Sequence, residues 1–119
     1  MAYYLARAKI SQAAMSALVE RPQDRFVTMT RLLKEVGGRL HYYFFALGDY
    51  DIILVYELPD NQTASALSMV LMSSGSVTEV DTTVLLSMEE AIGAMRRAGE
   101  TVGVGAYRPP ARGQEAATA

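Results

Sequence analysis

The chain offers one imidazole, His41, no cysteine, and a short list of other groups able to move a proton or hold a charge. His41 lies between Leu40 and Tyr42 in the most aromatic stretch, with Tyr43, Phe44 and Phe45 following. Its ordinary pKa puts its charge change near neutrality, so it can serve as a general base or a haem ligand. It can equally be a hydrogen-bonded histidine at an interface or a strand edge. Residues two apart in a strand share a face, which sets His41 beside Tyr43 and Phe45. Arg7, in an otherwise apolar run, can clamp a carboxylate or pair with Asp81 or Glu79 from another strand. As a catalytic set, His41 takes a proton, Tyr43 donates a hydrogen bond to a developing oxygen anion, and Arg7 stabilises its charge. As a binding set, the same residues orient a polar group while Phe45 holds an apolar body. The turn Gly48-Asp49-Tyr50-Asp51 adds Asp49 and Tyr50 as ligand-binding candidates. The plainer reading of that turn is that Gly48 permits its geometry and the Asp side chains bond backbone amides.

Much chemistry is excluded. Without cysteine there is no thiol nucleophile, disulfide, zinc–thiolate site or iron–sulfur cluster, and one histidine excludes any site needing two. Asp49, Asp51, Glu57, Glu79 and Asp81 match no recognised oxygen-ligand loop, so no metal is expected. Gly103-Val104-Gly105 is not followed by a helix and is no dinucleotide loop. No Ser-His-Asp arrangement stands out, and no motif requires a cofactor. Lys plus Arg number 11 against 13 Asp plus Glu, a balance that argues against a nucleic-acid surface. No stretch reaches the ~18 apolar residues of a membrane span, and Arg7 and Lys9 interrupt the first apolar run, unlike a secretory signal. A cytoplasmic location is expected.

These groups are carried by a regular series of elements in 119 residues, half of them hydrophobic. Tyr3 to Ile10 reads as a strand ending at Ser11, a good helix N-cap. A short alanine-rich helix breaks at Arg21-Pro22, and Pro22 suits the first turn of a second helix. Phe26, Met29, Leu32, Leu33 and Val36 recur at helical spacing until Gly37-Gly38 stops them. Arg39 to Leu47 and Ile52 to Leu58 read as a hairpin across the Gly48–Asp51 turn. Asp60-Asn61 caps a helix with Ala64, Leu67, Val70 and Leu71 as its inward stripe. Val77 to Leu86 is the fourth strand. Ser87-Met88-Glu89-Glu90 is a capping box opening a helix expected to bury Met88, Ala91, Ile92 and Met95. The seven Met residues, mostly on helices, read as core filling. Residues 1–100 form one domain, and 101–119 a Gly/Pro/Ala-rich tail expected to be flexible.

This order is the split βαβ plan of a ferredoxin-like α+β fold, with a four-stranded antiparallel sheet and an extra C-terminal helix. The strands depart from simple alternation. Ile52, Leu54 and Tyr56 oppose Ile53 and Val55, while Leu40, Tyr42 and Phe44 oppose Tyr43 and Phe45. Both faces must then be covered, and the helices suffice for one. With Tyr43, Phe45, Ile53 and Val55 as the uncovered set, the expectation is a homodimer or higher homo-oligomer.

Leu47-Gly48-Asp49-Tyr50-Asp51-Ile52-Ile53, preceded by Gly37-Gly38 and an aromatic strand, resembles the GYD-domain family, whose signature is Gly-x-Tyr-Asp at this turn. Glu20-Arg21-Pro22-Gln23-Asp24-Arg25 and Glu57-Leu58-Pro59-Asp60 resemble its junctions, with Arg21 where serine is more usual. Tyr107-Arg108-Pro109-Pro110 adds to the likeness. The resemblance, over Tyr3 to Met95, implies a dimeric α+β barrel of two ferredoxin-like sheets, and no particular reaction. Two functions compete. One is an accessory module that binds a small apolar or aromatic molecule. The other is a cofactor-independent monooxygenase or isomerase built on His41, Tyr43 and Arg7. Regulatory DNA binding lacks both a basic face and a recognition helix pair.

Overall fold

The computed structural model describes residues 1–102 and Pro109-Pro110. Met1–Leu85 forms one compact unit. It runs β1 (Ala2–Ile10), α1 (Gln12–Glu20), α2 (Arg25–Glu35), β2 (Arg39–Phe45), β3 (Ile52–Leu58), α3 (Asn61–Ser73) and β4 (Val77–Leu85). The strands form one sheet in the order β2-β3-β1-β4, with every pairing antiparallel. This is the ferredoxin-like plan. It seats β1 and β3 at the centre, so Arg7 lies mid-sheet.

Helix ends follow local chemistry. The Ser11 side chain accepts the Ala14 N–H and starts α1. Asp24, whose carboxylate accepts the Phe26 N–H, starts α2 three residues beyond Pro22. Pro22 therefore lies in the link before α2 and not in its first turn: a side-chain acceptor at Asp24 satisfies an orphan amide, which proline's fixed φ cannot do. Gly37, at φ 79°, closes α2 in the left-handed conformation, and the Gly38 N–H returns to the Leu33 carbonyl at 2.7 Å.

The core lies between one sheet face and α2 and α3. Tyr4, Ala6 and Ala8 of β1 and Ile52, Leu54, Tyr56 and Leu58 of β3 meet Met29 and Leu33 of α2 and Ala64 and Leu67 of α3. Tyr4, Leu33 and Leu58 are the largest fully buried side chains, and burying each leucine is worth ~1.5–3 kcal/mol. The Tyr4 hydroxyl donates to Asn61 Oδ1 at 2.8 Å, satisfying the one polar atom of a buried ring. Val70 departs from the expected stripe of α3: it is half exposed, and the helix buries Ala64 and Leu67 with Leu71 partly covered. α1 buries no residue.

β2 overturns the expected face assignment. Leu40 pairs with Tyr56 and Tyr42 with Val55, so His41 is the extra residue of a bulge. Beyond it the alternation changes phase. Leu40, Tyr43 and Phe45 lie on the helix side, opposite Tyr56, Leu54 and Ile52. Tyr42 and Phe44, opposite Val55 and Ile53, lie on the other face, and the strand ends at Phe45 rather than Leu47. The apolar set on the open face is therefore Tyr42, Phe44, Ile53 and Val55, not Tyr43 and Phe45.

The second unit, from Leu86, contains α4 (Met88–Arg97) and one turn of π-helix (Ala98–Val102). Both halves of the capping box form, Ser87 Oγ accepting from the Glu90 N–H and Glu90 accepting from the Ser87 N–H, each at 3.1 Å. The expected buried stripe is not found: α4 buries no residue, and Met88, Ile92 and Met95 are exposed. Its amphipathic pattern has no apolar partner within this unit among the described residues. Most of the expected tail lies outside the described residues.

Candidate functional site

The two sheet faces divide the sequence-derived candidates. On the open face, the bulge turns His41 toward β3, where Nε2 lies 2.7 Å from a Glu57 carboxylate oxygen. The Tyr3 ring stacks on the imidazole at 5.7 Å, and Tyr42 stacks on Phe44 at 5.8 Å. Toward the other end of β1, Arg7 pairs with Asp81 at 2.5 Å and Lys9 reaches Glu79 at 3.8 Å. Tyr50 from the turn lies beneath both cations, 4.4 Å from the Arg7 guanidinium and 5.6 Å from the Lys9 ammonium. The Asp81 hydrogen bond holds the Arg7 pKa above its usual value, and desolvation raises that of the Tyr50 phenol. Arg7 thus takes the pairing alternative.

Asp51 has a structural task. β1 slips register between Lys9 and Ile10, and the Ile10 N–H donates to Asp51 Oδ2 at 2.9 Å. The Asp51 N–H donates in turn to the Ala8 carbonyl at 2.9 Å. The pairing of β1 with β3 ends at Ala8 and Ile52, and the Asp51 carboxylate supplies the acceptor beyond the end of that ladder. Asp49 is exposed at the turn.

The helix face holds a cavity of about 230 Å³. Its floor is Ala6 and Ala8 of β1 with Leu54 and Tyr56 of β3, and its roof includes Ala14 and Ala17 of α1, Met29 of α2 and Leu67 of α3. Short side chains line it from both sides, Ala6 and Ala8 on the sheet and Ala14 and Ala17 on α1, and α1 buries no residue that would fill the space. Among the proposed site residues only Tyr43 lines it. Burial raises the Tyr43 pKa, against the pull of Arg25 nearby, so the phenol is a donor at neutral pH. Gln23 and Arg25, from the link and first turn of α2, also line it. A wider groove of about 480 Å³ runs between α3 and β4, lined by Tyr4, Asn61, Met69, Met72, Thr82 and Val84 among others.

The expected trio is not brought together within the subunit. His41 and Arg7 are on the open face, and Tyr43 is in the helix-side cavity, separated from His41 by the bulge. Phe45 is on the helix side with its ring tilted against Tyr43 at 6.0 Å, outside the cavity lining. Tyr50 and Asp49 are likewise outside it. Arg25 and Gln23 were missed from sequence; the available signal was the run of inward alanines, which marks where space remains.

The sheet order and helix placement define a ferredoxin-like α+β protein. The GYD domain pattern matches residues 4–95, and the chain belongs to the GYD-domain family. Among solved structures, it is similar to a hypothetical protein from Pyrococcus horikoshii at 11% identity and TM-score 0.45, over 73% of this chain and 92% of that one. It is also similar to a protein from Agrobacterium tumefaciens at 14% identity and TM-score 0.43, over 72% and 92% of the respective chains. No curated protein matches the sequence. No helix among the described residues is long and apolar enough to cross a membrane.

Proposed function

We propose that this protein is a homo-oligomeric binding module that holds a small apolar or aromatic molecule between its helices and sheet. The cavity carries the reading. An enclosed apolar cavity of ~150 Å³ admits benzene, so this partly open one of about 230 Å³ has room for a substituted single ring or a compact bicyclic molecule. Its walls are mainly apolar and aromatic side chains, with Gln23, Arg25, Tyr43, Ser68 and Ser76 among its few polar lining residues. The open face supports the assembly: Tyr42 and Phe44 are each 57% exposed beside Ile53 and Val55, a contiguous apolar surface suited to a second copy. The test is methyl and aromatic NMR with neutral one- and two-ring compounds such as indole and naphthalene. Binding shifts Leu54, Leu67 and Tyr56 and leaves Tyr42 and Phe44 unmoved. No shift at millimolar ligand would refute the cavity as a site.

A further inference from the structure

The apolar cavity has one strongly charged lining residue. Arg25 carries five N–H donors in a planar fork that fits a carboxylate. One of its nitrogens donates to Gln23 Oε1 at 2.9 Å, and the Gln23 amide is itself tied to the Arg21 carbonyl at 3.2 Å. No carboxylate lies within 4.0 Å of Arg25 among the described residues, and of the cations without such a partner it alone lines the cavity. The neighbouring Asp24 carboxylate caps α2 through the Phe26 N–H at 3.0 Å and does not serve as its counter-ion. Tyr43, also in the lining, remains a protonated donor, and its hydroxyl has no hydrogen-bond partner in the protein among the described residues. A guanidinium and a phenol thus sit on one apolar cavity, both with donors to spare and the cation without a counter-ion. That combination recognises a molecule with an apolar body and one anionic end.

We propose that the ligand is a carboxylic acid of one or two rings, its ring body in the cavity and its carboxylate held by Arg25 and Tyr43. The proposal rests on the cavity reading above and adds the charge and polarity of the occupant. Calorimetry on the full chain with three probes of one shape decides it: 1-naphthoate, 1-naphthalenemethanol and 1-naphthylmethylamine. The carboxylate binds roughly ten- to a hundred-fold tighter than the alcohol, the gain of a charge-assisted hydrogen bond, and the amine binds weakest. Arg25→Gln, checked for an unchanged circular dichroism spectrum, abolishes the preference by weakening the carboxylate far more than the alcohol. Tyr43→Phe weakens the carboxylate several-fold and the alcohol less. Equal binding of acid and alcohol by the parent protein overturns this proposal while leaving the cavity reading standing. Failure of all three to bind overturns both. Should Arg25→Gln misfold, the parent's ranking of the three probes still decides the question.

Discussion

Gly38 is the tightest point in the path from α2 to β2, and replacing it with alanine tests how closely helix and sheet are fitted. A β-carbon there would sit 2.5 Å from the Glu57 carbonyl oxygen, 2.5 Å from Leu58 Cδ2 and 3.3 Å from the Leu33 carbonyl oxygen. Ordinary contact needs ~3.5–4.0 Å, so β2 must retreat from β3 by about an ångström. Neither neighbour can yield cheaply: Leu58 is fully buried, and the Glu57 backbone lies in the β2–β3 ladder opposite Arg39. Overpacking of this kind costs ~1–3 kcal/mol, and alanine's smaller unfolded-state entropy returns ~0.4–1 kcal/mol. The net loss is about 1–2 kcal/mol, or a fall in Tm of roughly 5–15 °C for a domain of this size. Thermal melts of Gly38→Ala and Gly48→Ala, followed by circular dichroism, provide the comparison. Gly48 has open space at its β-carbon position and no positive φ, so its substitution leaves Tm unchanged or slightly raised. A Gly38→Ala protein melting within ~2 °C of the parent would refute the claim that the junction is rigid.

Phe44→Asp puts a charge on the open face opposite Ile53 and should shift the assembly toward the 13.0 kDa monomer in analytical ultracentrifugation; an unchanged oligomer would place the interface elsewhere. His41→Ala leaves Glu57, whose side chain is 16% exposed, without its 2.7 Å partner and should cost ~1–3 kcal/mol in urea unfolding, with His41→Gln recovering part of it. The side chain and backbone N–H of Thr63 bond the Asp60 carboxylate at the start of α3 and lower its pKa. A depressed carboxylate pKa gives stability that is full above the unfolded value of ~3.9 and is lost as pH falls through the folded value. The Tm deficit of Asp60→Ala should therefore be present at pH 7 and shrink toward pH 2; a deficit that stays constant would show that charge has no part in the cap.

The hairpin turn, the Gly37-Gly38 stop and the Ser87 capping box could be read from sequence because each depends on residues within four positions of one another. The strand order was legible at one remove, through the succession of elements. The positions of His41 and Tyr43 were not, for a single physical reason. Counting by two assumes an unbroken ladder, and the bulge at His41 depends on how β2 meets β3, a pairing between residues about 15 apart. The exposure of α4 was hidden for the converse reason: an amphipathic pattern records that a helix has an apolar face and not what lies against it. The cavity was partly visible as small residues in β1 and α1, but only the fold shows that they line one space.

α1 contributes part of the cavity roof without a single buried side chain, while the floor is made of the two central strands. Local stability follows the burial that each segment would forfeit, so α1 is the cheapest wall to displace. An occupant of the kind proposed would therefore lie against the most weakly held wall of the cavity. Amide protons of Met15 to Glu20 should exchange before those of β1 and β3, and an occupant should slow their exchange more than any in the sheet.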